Sequence, residues 1–204
     1  MIENNIFPKN FAFSSAKSNQ IDPIHLNDIE PALYDTKFWK KGDVFLSVRK
    51  QSAIIHYRPK TNELINYITG PFAWQHDVDI ISNKEISIFN NNDFYENNEY
   101  SEVVIYDFEK KNFRKIHNNQ LKKNNFKTDS NGLSQILNDG SLMVEETVHG
   151  RILFFDKDGN KEWEFINKDE NGDIGRVTWS RIIEDEDMIK SLKNLINNTK
   201  CSIK

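Results

Sequence analysis

The sequence predicts an all-β fold, organised as repeated units of antiparallel strands and followed by one short C-terminal α-helix. Three observations support this prediction. Apolar and polar residues alternate with a period of two through the middle of the chain. The resulting strands recur three times in the same order. Apolar residues at helical spacing occur in one place, close to the C-terminus.

Six segments read as strands because they are rich in β-branched and aromatic residues and are bounded by turn residues. They are DVFLSVR (43–49), SAIIHYR (52–58), EISIFN (85–90), EVVIYDF (102–108), SLMVEE (141–146) and RILFFD (151–156). Each consecutive pair is followed by a turn (PKTNE, EKKN or KDGN) and a third strand (LINYI, NFRKI or KEWEFI). Each pair is preceded by a further short strand, within NDIEPAL, HDVDII or GLSQIL. The unit is therefore four antiparallel strands.

A four-stranded unit of about 40–50 residues has the size of a β-propeller blade. The sequence therefore predicts a partial β-propeller over residues 21–183, with about three blades at 21–70, 71–120 and 128–183. A β-sandwich of consecutive hairpins is the alternative. Repetition in register, with the turn at the same place in each unit, favours the propeller. The longer last interval fits an Asn/Lys-rich insertion, at 92–100 or 117–131.

The two ends of the chain differ from the repeats. Residues 1–20 are expected to form an N-terminal segment that is either disordered or contains one strand, at 10–15. In the C-terminal part, 184–204, four apolar residues fall at helical spacing: Ile189, Leu192, Leu195 and Ile196. With the acidic EDED run at its start, this pattern predicts a helix over Glu184–Asn197. We expect this helix to pack after the last strand, and binding in a partner's groove is the alternative.

Composition excludes several classes of protein. The 27 basic and 31 acidic residues give a net charge of −4, so a nucleic-acid or anionic-membrane partner is not expected. The one cysteine, Cys201, excludes a disulfide framework and a Cys-based zinc site. No apolar run approaches the roughly 18–20 residues that span a membrane. The N-terminus shows no signal peptide.

Polar residues at equivalent places in the repeats are the candidate site. His25 and His76 open the first strands of two units, and the first strands of propeller blades line the central channel, so these side chains are expected to converge. Arg49 ends the second strand of the first unit, and its equivalents are Asn91 and Thr147. A guanidinium near two imidazoles suits an anionic ligand with tetrahedral oxygens. Strand ends that simply exit into solvent are the alternative for Asn91 and Thr147.

The other acidic and histidine candidates are weaker. Glu145 and Glu146 are adjacent in one strand and so lie on opposite faces, and Glu146 is the one expected to reach the channel. His56, His117 and His149 are expected to be packed or solvated histidines without a functional role.

No metal and no cofactor are predicted. The available ligand sets are His25 with Asp28, or His76 with Asp77 and Asp79, and the repeat brings no further ligand cluster to the same place. The chain contains no Walker A loop, G-x-G-x-x-G, H-E-x-x-H or G-x-S-x-G motif.

Four segments resemble the bacterial arylsulfate sulfotransferases. They are HLNDIEPA, GDVFLSVRKQSAI, GPFAWQHDVDIISNKEISIFNNN and GLSQILNDGSLMVEETVHGRILFFDKDGNKEWEF. The most specific part is the GPF-x-x-QHD block followed by a strand that ends in FxNN. The resemblance covers roughly residues 21–183 and implies a six-bladed propeller that usually works in the periplasm or elsewhere outside the cytoplasm.

The resemblance also implies a reaction. The family transfers a sulfuryl group from an aryl sulfate to a phenol through a sulfated histidine, without a nucleotide donor or other cofactor. Carried over to this sequence, the QHD histidine His76 would be the nucleophile, with His25 and Arg49 as its active-site companions. Asn91, Thr147 and Glu146 would contact the substrate. Asp77 would orient His76 through its second ring nitrogen.

Length bears on the activity that this resemblance implies. Six blades of about 45 residues need about 270 residues, whereas the chain has 204. We therefore expect either an incomplete copy of the family domain, or a ring completed by self-association through open sheet edges. The alternative function is a non-catalytic propeller fragment that binds a ligand or a protein.

Overall fold

Three four-stranded antiparallel sheets form the body of the chain in a computed structural model, which describes residues 22, 24–92 and 100–199. Sheet 1 contains β1 Leu26–Pro31, β2 Val44–Val48, β3 Ala53–Arg58 and β4 Glu63–Ile68. Sheet 2 contains β5 Val78–Ile80, β6 Glu85–Asn90, β7 Glu102–Asp107 and β8 Asn112–Lys115. Sheet 3 contains β9 Leu133–Ile136, β10 Leu142–Glu146, β11 Arg151–Phe155 and β12 Lys161–Ile166.

Each sheet is a meander in which every strand pairs with the strands next to it in sequence. All twelve strands lie where the sequence pattern predicts them, and the all-β prediction is confirmed. The turns between the third and fourth strands each contain a residue in the left-handed region: Asn62 (φ 57°), Lys111 (φ 52°) and Gly159 (φ 85°). Gly and Asn adopt this conformation at low cost, which explains two of the three turns.

Apolar side chains fill the spaces between neighbouring sheets. The core between sheets 1 and 2 includes Phe45, Ile54, Ile86 and Ile88, all fully buried. A second core lies between sheets 2 and 3 and contains Phe89, Phe126, Leu142, Val144, Leu153 and Phe155. Because alternate residues of a strand point to opposite faces, both faces of sheet 2 are apolar and covered.

Side-chain oxygens on the first strands also join the sheets. Asp28 accepts a hydrogen bond from the backbone N–H of Val78 (3.0 Å). Asp77 accepts one from the N–H of Ser134 (3.0 Å). These bonds join the start of each sheet to the start of the next, so that β5 lies beside β1, and β9 lies near β6.

A buried ionic network joins the start of β2 to β3 in sheet 1. The Asp43 carboxylate accepts hydrogen bonds from Arg58 Nε (2.7 Å) and lies 2.9 Å from His56 Nε2. His56 is fully buried and stacks on Phe45, with ring centroids 4.6 Å apart. Burial tends to raise the pKa of Asp43, but the hydrogen bonds from Arg58, from the Lys40 N–H and from His56 hold it well below its usual range. His56 is therefore packed, which is one of the two states expected for it.

Two α-helices accompany the sheets in the described part of the chain. α1 spans Asn118–Lys123 and lies in the segment 117–131 that was expected to be a loop. Its Leu121 is fully buried in the core beside sheet 3, which explains why this stretch folds against the sheets. Neither helix combines the length and the apolar character that a membrane crossing requires.

The second helix, α2, spans Glu186–Asn198, within one or two residues of the predicted bounds. Asp185 caps it by accepting a hydrogen bond from the Met188 N–H (2.7 Å). The expectation that this helix packs after the last strand is wrong, because none of its residues is buried among the described residues. Leu195 and Ile196, for example, are 62% and 70% exposed. The expected strand at 10–15, and residues 1–20 as a whole, fall outside the described residues.

Replacing Asp43 tests the importance of the buried network. Asp43→Asn leaves Arg58 and the fully buried His56 without their anion, so we expect the free energy of unfolding to fall by about 3–5 kcal/mol. Urea denaturation at pH 7 measures this change. Arg114→Gln breaks an exposed ion pair with Glu85 and is the matched control, with an expected change within about 1 kcal/mol. Equal effects of the two substitutions would contradict this reading of the network.

Candidate functional site

His25 and His76 line one cavity of about 430 Å³. His25 directly precedes β1, and His76 lies two residues before β5, so the contact between the first strands of sheets 1 and 2 brings the two imidazoles together. Thr147, which follows β10 in sheet 3, lines the same cavity. The convergence that the repeat predicted for His25 and His76 is therefore present in the structure, and Thr147 joins them.

Arg49 lies beside this group. It begins a 3₁₀ helix at Arg49–Gln51, directly after β2. Its guanidinium carbon lies 4.0 Å from the ring centroid of Trp74, a cation–π geometry. The backbone N–H of Arg49 donates to the backbone oxygen of His25 (3.0 Å), and the positive charge of the Arg49 side chain lowers the pKa of His76. Arg49 thus acts on His76 electrostatically, although the residues that line the cavity in the described chain do not include it.

Hydrogen bonds determine which ring nitrogen of His76 carries the proton. The Asn91 side chain donates through Nδ2 to the backbone oxygens of Thr128 (2.9 Å) and Asn131 (2.8 Å). Its Oδ1 is therefore the acceptor in the 2.6 Å contact with His76 Nδ1. The proton lies on Nδ1, and the lone pair of Nε2 accepts the backbone N–H of Asn131 (2.9 Å).

The surroundings of His76 keep its ring neutral. Burial is the largest cause and lowers the pKa of His76 to about 4. The nearby charge of Arg49 and the ring of His25 lower it further, while the hydrogen bond to Asn91 acts in the opposite direction. At neutral pH the Nε2 atom is therefore an unprotonated nitrogen at the wall of a cavity.

The expectation that Asp77 orients the second ring nitrogen of His76 is wrong, because Asn91 occupies that position. The Asp77 side chain instead reaches sheet 3, where it bonds the Ser134 N–H. Burial raises the pKa of Asp77 and, close by, that of Asp79. Within the described chain, no three His, Cys, Asp or Glu side chains are arranged to hold a metal ion.

Asp22 holds His25, and the sequence pattern did not single it out. Its carboxylate lies 2.6 Å from His25 Nδ1 through one oxygen, and accepts the His25 backbone N–H (2.8 Å) through the other. His25 has a positive φ of 51°, which is uncommon outside glycine. The carboxylate three residues earlier supports that conformation and fixes the ring. The D-x-x-H spacing was the available signal for this pair.

The structure brings Glu145, rather than Glu146, to the cavity. Glu145 lines the cavity and accepts a hydrogen bond from the Thr147 hydroxyl (2.7 Å). That hydroxyl in turn accepts the Gly132 N–H (3.1 Å). Glu146 lies on the other face of β10 and is paired with Arg151. Thr147 and Glu145 therefore support the loop that faces His76, while Glu146 lies away from it.

His76 makes stability depend on pH, and replacing it tests its low pKa. Its folded-state pKa lies below the ordinary value of about 6.5, so between these values the unfolded chain binds the proton and the folded chain does not. Stability is therefore lost as the pH falls from about 6.5 to 4, by up to about 3 kcal/mol. We expect His76→Gln to lose clearly less over this range, as measured by urea denaturation at both pH values.

His149→Gln is the matched control, because the His149 side chain is 56% exposed and 3.9 Å from Glu146. It should keep the pH dependence of the wild-type protein. A His76→Gln variant with an unchanged pH dependence would show that His76 titrates normally.

Comparisons with known proteins agree with the resemblance of the motifs. No curated protein matches the chain significantly. The similar solved structures include a protein of unknown function from Bacteroides caccae, with 13% sequence identity and a TM-score of 0.47. The match covers 64% of this chain and 47% of that protein, so the chain spans less than half its length. The model of the arylsulfotransferase (ASST) family matches residues 3–168 of the chain. The chain belongs to the arylsulfotransferase family.

Proposed function

We propose that the site around His76 transfers a sulfuryl group from an aryl sulfate to a phenol, by way of a sulfated His76 and without a nucleotide donor. The observation that carries this proposal is the state of His76. Its Nδ1 proton is held by Asn91, its pKa is about 4, and its unprotonated Nε2 lies at the wall of a cavity shared with His25. A neutral imidazole in this tautomer is a competent nucleophile at neutral pH.

We further propose that the three sheets are consecutive blades of a propeller, at 21–70, 71–120 and 128–183, followed by a C-terminal segment at 184–204. The four-stranded meanders, the apolar cores between their faces and the contact of their first strands support this arrangement. In a propeller the first strands surround the axis, which is where His25 and His76 meet.

In the first half of the reaction, the Nε2 lone pair of His76 attacks sulfur, and the bond from sulfur to the aryl oxygen breaks. His25 gives a proton to the departing phenolate oxygen. In the imidazolium form of His25, Nδ1–H donates to Asp22, and the proton on Nε2 is the one that is transferred. The ring of His76 becomes positively charged, and Asn91 Oδ1, already 2.6 Å from Nδ1, stabilises that charge through the Nδ1 proton.

In the second half, the acceptor phenol returns a proton to His25, its oxygen attacks sulfur, and the bond between sulfur and His76 Nε2 breaks. Charge on the sulfuryl oxygens needs fixed donors, as it does in phosphoryl transfer. Arg49 supplies a positive charge beside His76, and the Asn131 N–H, which Nε2 releases when it attacks, points at the same place. Thr147 and Glu145 hold the loop that carries this N–H.

The direct test is incubation with 4-nitrophenyl sulfate and phenol, followed by peptide mass spectrometry. We expect a sulfated His76 in the wild-type chain when the acceptor is left out, and loss of the modification when phenol is added. His76→Ala should carry no sulfo group and transfer none. His149→Ala removes an exposed histidine and should behave as the wild-type chain does.

The chain concentration is varied in the same assay, because completion of a ring by association through open sheet edges would make transfer rise faster than in proportion to the protein added. Transfer rates of wild type and His76→Ala that are equal at every concentration would contradict the proposal. Binding of the aryl sulfate without sulfation of His76 would favour the alternative, a ligand-binding module.

A further inference from the structure

A segment after the last strand forms part of the cavity wall. Thr178 and Trp179 line the cavity together with His25 and His76, although they follow β12 by more than ten residues. The family match ends at residue 168, so no role comes to Trp179 from that match. The inference drawn from this residue rests on the proposed function of the site.

The backbone on both sides of Trp179 is fixed to sheet 3. On one side, the Val177 N–H donates to the Thr147 oxygen (3.3 Å). On the other, the Ser180 N–H donates to Glu145 Oε2 (2.8 Å). Further along, the Gln135 amide both accepts the Ile182 N–H (2.8 Å) and donates to the Ile182 oxygen (2.9 Å). The position of Trp179 relative to the cavity is therefore set by hydrogen bonds and not by a free loop.

These bonds repeat the way in which the first strands of the sheets are joined. Asp28, on β1, accepts the Val78 N–H of sheet 2, and Gln135, on β9, accepts the Ile182 N–H in the same manner. Residues 178–182 therefore occupy the place that the first strand of a following sheet would take. In sheets 1 and 2, the residues that open this strand include His25 and His76, the candidate catalytic groups.

Both the exposure and the backbone conformation of Trp179 are unusual for this residue type. The side chain is 82% exposed, whereas tryptophan is usually well buried. Its φ of 64° lies in the left-handed region, which is strained for a bulky residue. Strained backbone and an exposed aromatic ring at a cavity wall are typical of positions that contact a ligand.

The chemistry of the cavity indicates which ligand group would use this ring. The imidazoles of His25 and His76, with Arg49 beside them, suit an anionic sulfuryl group. Among the cavity-lining residues of the described chain, Trp179 carries the one indole or phenyl ring. A phenyl ring next to the sulfuryl group can therefore stack on Trp179, in the offset or edge-to-face geometry that aromatic pairs prefer.

We propose that Trp179 is a specificity-determining residue that binds the aromatic ring of the sulfuryl donor, and so selects aryl sulfates over alkyl sulfates.

NMR titrations of the folded chain with phenyl sulfate and with methyl sulfate test this role, because they measure how tightly each ligand binds. Wild type should bind phenyl sulfate more tightly than methyl sulfate. Trp179→Ala should weaken phenyl sulfate binding about 3- to 10-fold, the usual contribution of an aromatic pair, and leave methyl sulfate binding unchanged. Trp179→Phe keeps a ring and should restore most of the preference.

Trp163→Ala is the matched control, because Trp163 is a partly exposed tryptophan of β12 that stacks on Phe154 outside the cavity. It should keep the preference for phenyl sulfate. The proposal is overturned if Trp179→Ala weakens both ligands equally, if it weakens neither, or if the folded wild-type chain binds no phenyl sulfate.

Ligand binding by NMR and sulfation of His76 by mass spectrometry together separate this inference from the proposed reaction. His76→Ala should lose sulfation and still prefer phenyl sulfate over methyl sulfate. If phenyl sulfate binds in a Trp179-dependent way and His76 is never sulfated, the proposed reaction fails and the role of Trp179 stands. If His76 is sulfated equally well from phenyl and methyl sulfate in wild type and in Trp179→Ala, the role of Trp179 fails and the reaction stands.

Discussion

Hydrogen bonds that side-chain oxygens accept from backbone N–H groups of the next sheet hold the site together. Asp77 is the central example, because it follows His76 in sequence and bonds the Ser134 N–H in sheet 3. This bond brings the loop that ends at Gly132 against His76. Asn91 and the Asn131 N–H can then contact the two ring nitrogens of His76. The cavity exists where three sheets meet, so it depends on the bonds that make them meet.

This arrangement buries polar side chains, and their burial shifts the pKa values of those that ionise. Burial penalises the charged form of any ionisable group. It therefore raises the pKa of Asp77 and lowers that of His76, and both groups are driven towards the neutral state. For His76 this is the state that a nucleophile needs. The same packing that joins the sheets thus prepares the imidazole for the proposed chemistry.

Sequence patterns predicted the strands and the meeting of His25 with His76, because alternation and register are local properties that repeat. They did not predict the partners of these rings. Asn91 replaced Asp77 as the partner of His76 Nδ1, because a neighbour in sequence can point to another sheet. Glu145, and not Glu146, lines the cavity. Alternation assigns the two residues to opposite faces of β10, but it does not show which face is turned to the cavity. Trp179 escaped notice because its segment has no strand pattern and is placed by tertiary hydrogen bonds.

The central claim is that the bond from Asp77 to sheet 3 creates the environment of His76. The most direct measurement is the pKa of His76, from an NMR titration, in Asp77→Asn and Asp77→Ala. Asparagine at position 77 can still accept the Ser134 N–H. In Asp77→Asn the pKa of His76 should therefore stay near 4. In Asp77→Ala the loop separates from His76 and water enters, so the pKa should rise towards about 6.5. A pKa that stays low in a folded Asp77→Ala chain would contradict the account.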